Sequence, residues 1–295
     1  GTILRFDGSS WSKSATPIGN PLLGIWASPT VDAWAVGGWG GTTLRWNGAE
    51  WNQSSLGNQE ASAAVWASGP DTAWAGGTML MRWNGASWKT EVKSDIPGEN
   101  LEILAIWGSS ENDVYAGGID GTLHHWDGKA WTEPDGASKL DITGLWGSGP
   151  KDIYAITQHP PGRSSEIEHY DGTAWSIVYT VDNSYRSNMY GVWGSGPNDV
   201  WAVGAIGTIV HFDGAKWSYV DSGTMFTLKA IAGTSATDIW AVGAQGTALH
   251  YDGSKWTLVP TGSTETLQGA WTSAPGDLWI VGAVGTILHR TPAGT

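Results

Sequence analysis

Residues 193–217 read W-G-S-G-P-N-D-V-W-A-V-G-A-I-G-T-I-V-H-F-D-G-A-K-W. Three short apolar runs stand between turn signals, namely Gly196-Pro197-Asn198-Asp199, Gly204 to Gly207, and Asp213-Gly214. Short runs rich in Val, Ile and Trp and bounded in this way read as β-strands. The same text recurs seven times at a spacing of about 40 residues, a period that belongs to propellers and arrays of small sheets. With strands lettered A to D, A carries a small residue, an apolar residue and Trp; B carries Trp or Tyr followed by Ala-Val-Gly. Strand C carries Gly-Thr-x-Leu and then His or Arg with an aromatic residue, and D carries the Trp after Asx-Gly.

Along the chain the A–B pairs are Trp26/Trp34, Trp66/Trp74, Trp107/Tyr115, Trp146/Tyr154, Trp193/Trp201, Ala232/Trp240 and Trp271/Trp279. The D residues are Trp11, Trp51, Trp88, Trp131, Trp175, Trp217 and Trp256. The pattern predicts an all-β chain forming one domain over residues 1–295, a seven-bladed β-propeller of four-stranded antiparallel blades. Two places before the strand A Trp stands Gly24, Ala64, Ala105, Gly144, Gly191, Ala230 or Gly269. Nothing larger than a methyl group is used there, which places strand A innermost, where the blades converge.

The Asx-Gly pairs from Asp7-Gly8 to Asp252-Gly253 predict tight C–D hairpins in which both residues tolerate positive φ. Asp32, Asp113, Asp152, Asp199, Asp238 and Asp277 precede strand B, where a carboxylate can accept backbone N–H groups of the A–B turn. The second unit has Thr72 in that place. Strand C occurs eight times, because residues 285–290 repeat the opening strand. A closed ring needs its ends joined, so the N-terminal hairpin 2–13 is expected to complete the last blade with residues 267–290. Thr2 to Phe6 is favoured for the place beside strand B, since its Asp7-Gly8 turn is intact. That would leave residues 285–295 as an edge segment or a lead into a following domain. The chain begins in mid-repeat, as a processed or excised piece would.

The net charge is −13, which disfavours nucleic acid and anionic lipid as partners. No apolar run is long enough to span a membrane as a helix, so no membrane insertion is expected. Without Cys there is neither a disulfide framework nor thiol chemistry.

The unit resembles the tectonin and tachylectin type of propeller repeat. The matching residues are Val200-Trp201-Ala202-Val203, Gly207 to Gly214, and Trp217. Residues 213–217 also resemble an Asp-box hairpin, less the residue between Asp and Gly. The resemblance implies a propeller fold and recognition of glycans or of bacterial surface lipids.

One cation or imidazole recurs in strand C: Arg5, Arg45, Arg82, His125, His169, His211, His250 and His289. Such a residue is expected to stack on a Trp of the adjacent blade and to bond a turn carboxylate or carbonyl. It is not a metal ring, because Arg cannot ligate. The repeated Asp residues never gather at Ca²⁺-loop spacing. No cofactor, metal site or catalytic group is therefore expected; Ser-His-Asp, phosphate-loop and zinc motifs are absent from the text.

The irregular connections point to a site. In the fourth unit the B–C connection lengthens over residues 157–166, and the D–A connection over residues 180–188. These loops and a Gly-flanked Trp supply the candidate ligand-binding residues His159, Arg163, Asp182, Asn183, Tyr185, Arg186 and Trp39, with Arg163, Tyr185 and Arg186 expected within one ligand's reach. Aromatic, amide and Arg side chains together suit a glycan or peptide. The expected function is thus a non-catalytic, lectin-like module for a glycan or surface polymer, on a secreted or cell-surface bacterial protein. The alternatives are a protein–protein interaction scaffold and an enzyme with its site in the axial pocket.

Overall fold

A computed structural model of the chain describes residues 2–6, 11–15, 19–28, 32–38, 41–56, 61–93, 101–134, 139–158, 164–181 and 188–290. Among them are 29 strands in seven sheets. Blade 5 shows the plan, with A at Met189–Gly196, B at Asp199–Gly204, C at Ile209–Phe212 and D at Trp217–Val220, joined in that order as antiparallel neighbours. Blade 1 begins at Gly24–Ala27, blade 2 at Ser62–Gly69, blade 3 at Ile103–Ser110, blade 4 at Asp141–Gly149, blade 6 at Leu228–Ser235 and blade 7 at Leu267–Ala274. The seven A strands surround one axial channel. The propeller expectation holds, including the place of strand A.

The core lies between blades. Trp201, Val203 and Ile209 of blade 5 share one buried cluster with Leu228, Ile231, Ile239 and Leu249 of blade 6. The strand A Trp rings interlock blade to blade. A Cβ on Gly194 would lie 2.6 Å from the ring of Trp146, and one on Gly233 equally close to that of Trp193. Where blade 6 has Ala232 instead of Trp, blade 7 carries Thr272 at the position of those glycines. The small residue is needed only where an indole presses on it.

Blade 7 corrects one expectation. Thr286–Arg290, not Thr2–Phe6, pairs with Asp277–Gly282. Thr2–Phe6 is displaced one place outward and runs parallel to Thr286–Arg290, with Ile3 opposite Ile287, and Trp11–Ala15 forms the edge. The two chain ends do close the ring in one mixed blade, of five strands. The physical reason is proximity along the chain. Residues 283–285 form the same one-turn connection that joins B to C in blades 3, 5 and 6, so strand C arrives with little closure entropy. The distant N-terminal copy takes the edge that remains.

Two further details differ. In each described C–D hairpin from Asn47-Gly48 to Asp252-Gly253, only Gly has positive φ. The Asx side chain caps the loop instead, as Asp213 Oδ1 does by accepting the N–H groups of Ala215 and Lys216, both at 2.9 Å. In blade 4 strands B and C run on as Asp152–Gln158 and Ser165–Tyr170. They absorb both ends of the expected 157–166 loop, because Thr157 and Ser165 are buried and ladder-bonded.

Candidate functional site

The residue types that most resemble catalytic groups recur from blade to blade. In blade 5, Asp199 Oδ1 accepts from His211 Nε2 at 2.6 Å and from the Trp201 indole at 2.9 Å, while Oδ2 accepts from the Ser195 hydroxyl at 2.5 Å. Asp113, Asp152, Asp238 and Asp277 hold His125, His169, His250 and His289 in the same way, at 2.6–2.9 Å. Each has a Ser or Thr hydroxyl on its other oxygen, from Ser109, Ser148, Thr234 and Ser273. The carboxylates thus bond side chains rather than the turn N–H groups expected. Each imidazole stacks on the strand B aromatic of its own blade rather than the next, at 3.8 Å for Trp201–His211 and 3.5 Å for Trp279–His289, since the two are cross-strand partners.

Carboxylate, not imidazole, is the centre of each group. The hydroxyl gives its proton to Asp and never faces a histidine nitrogen able to remove it, so this is not a nucleophile-activating triad. The groups fasten the blades. Hydrogen bonds led by His250 hold the Asp238 carboxyl down at about 2. For Asp199 burial pushes upward, but the bonds from His211, Ser195 and Trp201 together bring it below the usual carboxylate range. In blade 1, Arg45 takes the histidine's place, 3.1 Å from Asp32 and over Trp34. Among the described residues no group of three His, Cys, Asp or Glu side chains could hold a metal ion.

The axial channel has a volume of about 300 Å³. Its walls are small and apolar residues with Trp66, Trp107, Trp146, Trp193 and Trp271. Among the described residues that line it, Lys229 is the only charged one. Its Nζ lies 3.7 Å from the centre of the Tyr190 ring, a cation–π contact that holds the ammonium in place. Among the described residues that line it, Lys229 and Tyr190 are the ionisable ones, and no carboxylate or imidazole lines the channel with them.

A second cavity, of about 620 Å³, opens over blade 6 on the face of the D–A and B–C connections. Its walls are residues 222–226 and 260–263 of two successive D–A connections, the turn at Gln245-Gly246, and Leu258 at the end of strand D. Three large apolar side chains stand exposed around it: Met225 at 68 %, Leu258 at 63 % and Phe226 at 50 %. The connection bearing Met225 and Phe226 runs directly into the strand that carries Lys229.

This sector was not singled out from the sequence, which drew attention to the longest loops. The signal was there, in the two D–A connections read in register: D-S-G-T-M-F-T-L-K at 221–229 and P-T-G-S-T-E-T-L-Q at 260–268. The expected ligand residues Trp39, His159, Arg163, Asp182, Asn183, Tyr185 and Arg186 all lie outside the described residues. The roots of the two long blade 4 loops are described, and they meet. Gln158 donates its side-chain amide to the Met189 carbonyl, Ser165 Oγ accepts the Met189 N–H at 3.1 Å, and the Val181 N–H reaches the Ser165 carbonyl at 2.9 Å.

No family model matches the chain, and no curated protein matches it in sequence. Solved structures do. YCF48 bound to D1 peptide shares 15% identity at a TM-score of 0.75, covering 97% of this chain and 98% of its own. YCF48 from Cyanidioschyzon merolae shares 16% at 0.74, covering 97% and 100%. The WD40 β-propeller domain of Doa1 shares 12% at 0.73, covering 98% and 96%. At such identities the likeness is one of fold, a seven-bladed propeller with WD40-like neighbours.

Proposed function

We propose that this propeller is a non-catalytic protein-interaction module that binds its partner on the face of the D–A and B–C connections. One observation carries the reading: three exposed large apolar side chains, Met225, Phe226 and Leu258, ring the 620 Å³ cavity over blade 6. Met and aromatic residues are enriched at protein interfaces, and adaptable Met surfaces suit polypeptide partners. Glycan sites rely on flat rings beside amides and carboxylates, and that cavity lacks a carboxylate among its lining residues. The likeness in fold to a propeller solved with a D1 peptide adds support for the partner class. The Asp-centred groups serve the blades, which leaves this surface with no structural duty that accounts for its apolar side chains.

The test is to probe the purified chain in parallel on a glycan array and with a dodecamer peptide phage library. Peptide enrichment without sugar-competed glycan binding is the expected result. Glycan binding abolished by free sugar, with no peptide enriched, overturns the reading in favour of a lectin.

A further inference from the structure

The fold builds the two D–A connections flanking the cavity to one plan. Gly223 and Gly262 share the left-handed conformation, at φ 69° and 72°. The Thr224 N–H bonds Ser222 Oγ at 3.3 Å, and the Ser263 N–H bonds Thr261 Oγ1 at 3.2 Å. The Phe226 N–H bonds Thr224 Oγ1 at 3.1 Å, and the Glu265 N–H bonds Ser263 Oγ at the same distance. Backbone and small hydroxyls thus make the loop. The side chains at the next positions are free to vary, and they do: Met225 and Phe226 in one copy stand where Thr264 and Glu265 stand in the other. Further along, Lys229 stands where the other copy has Gln268.

The second copy is an internal control. It shows that the fold accepts a polar and acidic version of this segment, so the apolar and basic version is not imposed by folding. Exposed Met and Phe side chains also carry an unfavourable hydration cost. Lys229 adds a fixed cation, the one charge among the described residues lining the axial channel, in a chain of net charge −13.

We infer that the sector from Leu258 through Met225 and Phe226 to Lys229 docks an extended peptide that carries a large apolar side chain close to a carboxylate. The apolar side chain lies on Met225, Phe226 and Leu258, and the carboxylate pairs with the Lys229 ammonium at the mouth of the channel. Three residue steps of extended chain lead from Phe226 to Lys229, a span of at most about 11 Å. A bound strand rises about 3.3 Å per residue, so its apolar and acidic residues fall within about three positions of each other. This rests on the protein-interaction reading and names its ligand.

The experiment uses the phage-enriched dodecamers as labelled synthetic peptides on the full chain, each paired with a counterpart whose Asp or Glu is replaced by Asn or Gln. The expected enriched pattern is an aromatic or large aliphatic residue within three positions of an acid. Replacing the segment by its sister's residues (Met225→Thr, Phe226→Glu, Lys229→Gln) is expected to weaken binding about 100-fold with the melting temperature preserved. Lys229→Gln alone is expected to cost about tenfold and to erase the preference for acid over amide. Enriched peptides that bind the triple variant as tightly as the parent, or that lack an acid, overturn this site while leaving the interaction reading standing. If no peptide is enriched, both fall.

Discussion

Blade 5 and blade 2 solve one packing problem with different chemistry. Strand B of each presents an indole to strand C, with Trp201 opposite His211 and Trp74 opposite Arg82. In blade 5 the imidazole stacks on the indole and Asp199 gathers His211, Ser195 and Trp201. Blade 2 has Thr72 instead of Asp. Its Arg82 guanidinium lies 5.0 Å from the Trp74 ring and 5.5 Å from Trp126 of blade 3, and its Nε is buried without a hydrogen-bond partner. What the position demands is a flat cationic or imidazole group on an indole. The carboxylate completes the arrangement where it occurs but is not required for a blade to form. That is how a structural device behaves. The acid recurs in six blades and is missing from blade 2, and that blade still forms.

The largest effect is expected at Asp199. Asp199→Ala leaves one imidazole, one hydroxyl and one indole N–H without their acceptor, and is expected to cost about 3 kcal/mol in denaturant unfolding. A loss within about 0.5 kcal/mol, the range of an ordinary surface substitution, would show the carboxylate to be a solvated bystander. Acid should act next. Asp238 is held at about 2 in the fold against an ordinary value of 3.8. A carboxyl lowered by folding contributes stability fully above its unfolded value and loses it as pH falls through the folded one. Stability should therefore decline between about pH 4 and pH 2, and Asp238→Asn should flatten that decline in melts taken across the window.

Blade 3 offers a contrast of the opposite sign. His124 is buried in strand C, where the other blades place Leu44, Met81, Glu168, Val210, Leu249 or Leu288. Burial pushes its imidazole below the usual 6.5, and Nε2 has no hydrogen-bond partner. The neutral ring is the folded form, so this contribution is full above that ordinary value and falls as pH drops below it. His124→Leu should raise stability by about 1–2 kcal/mol and remove the decline that sets in as pH falls below about 6.5. Unchanged stability would mean that the ring is hydrated. The smallest expected effect is Thr72→Asp, which offers Arg82 Nε an acceptor and should add about 1 kcal/mol. A neutral or negative outcome would place Arg82 out of reach of that side chain.

The internal comparison that exposes the blade 6 sector works by the same logic. Repeats differ in what the fold leaves free, and the differences were written in register at 221–229 and 260–268. Ranking connections by length alone passed over them. Length marks where chain is spare, whereas Met225 and Phe226 are conspicuous only once their exposure is known.

The number of blades, the order of strands and the innermost place of strand A are all legible in the chain's text. Each of these follows from local constraint: Trp at fixed spacing, Asx-Gly at each hairpin and no side chain larger than a methyl where the sheets converge. The partners of Asp199 and its equivalents, the stacking of His211 on its own blade, and the use of Thr286–Arg290 rather than Thr2–Phe6 beside strand B were decided only in the tertiary structure. Those outcomes turn on which of several chemically equal neighbours arrives at a given distance. The two strand C copies are nearly the same text, and the choice between them lies in the short connection at residues 283–285 and the edge it leaves for the other end of the chain.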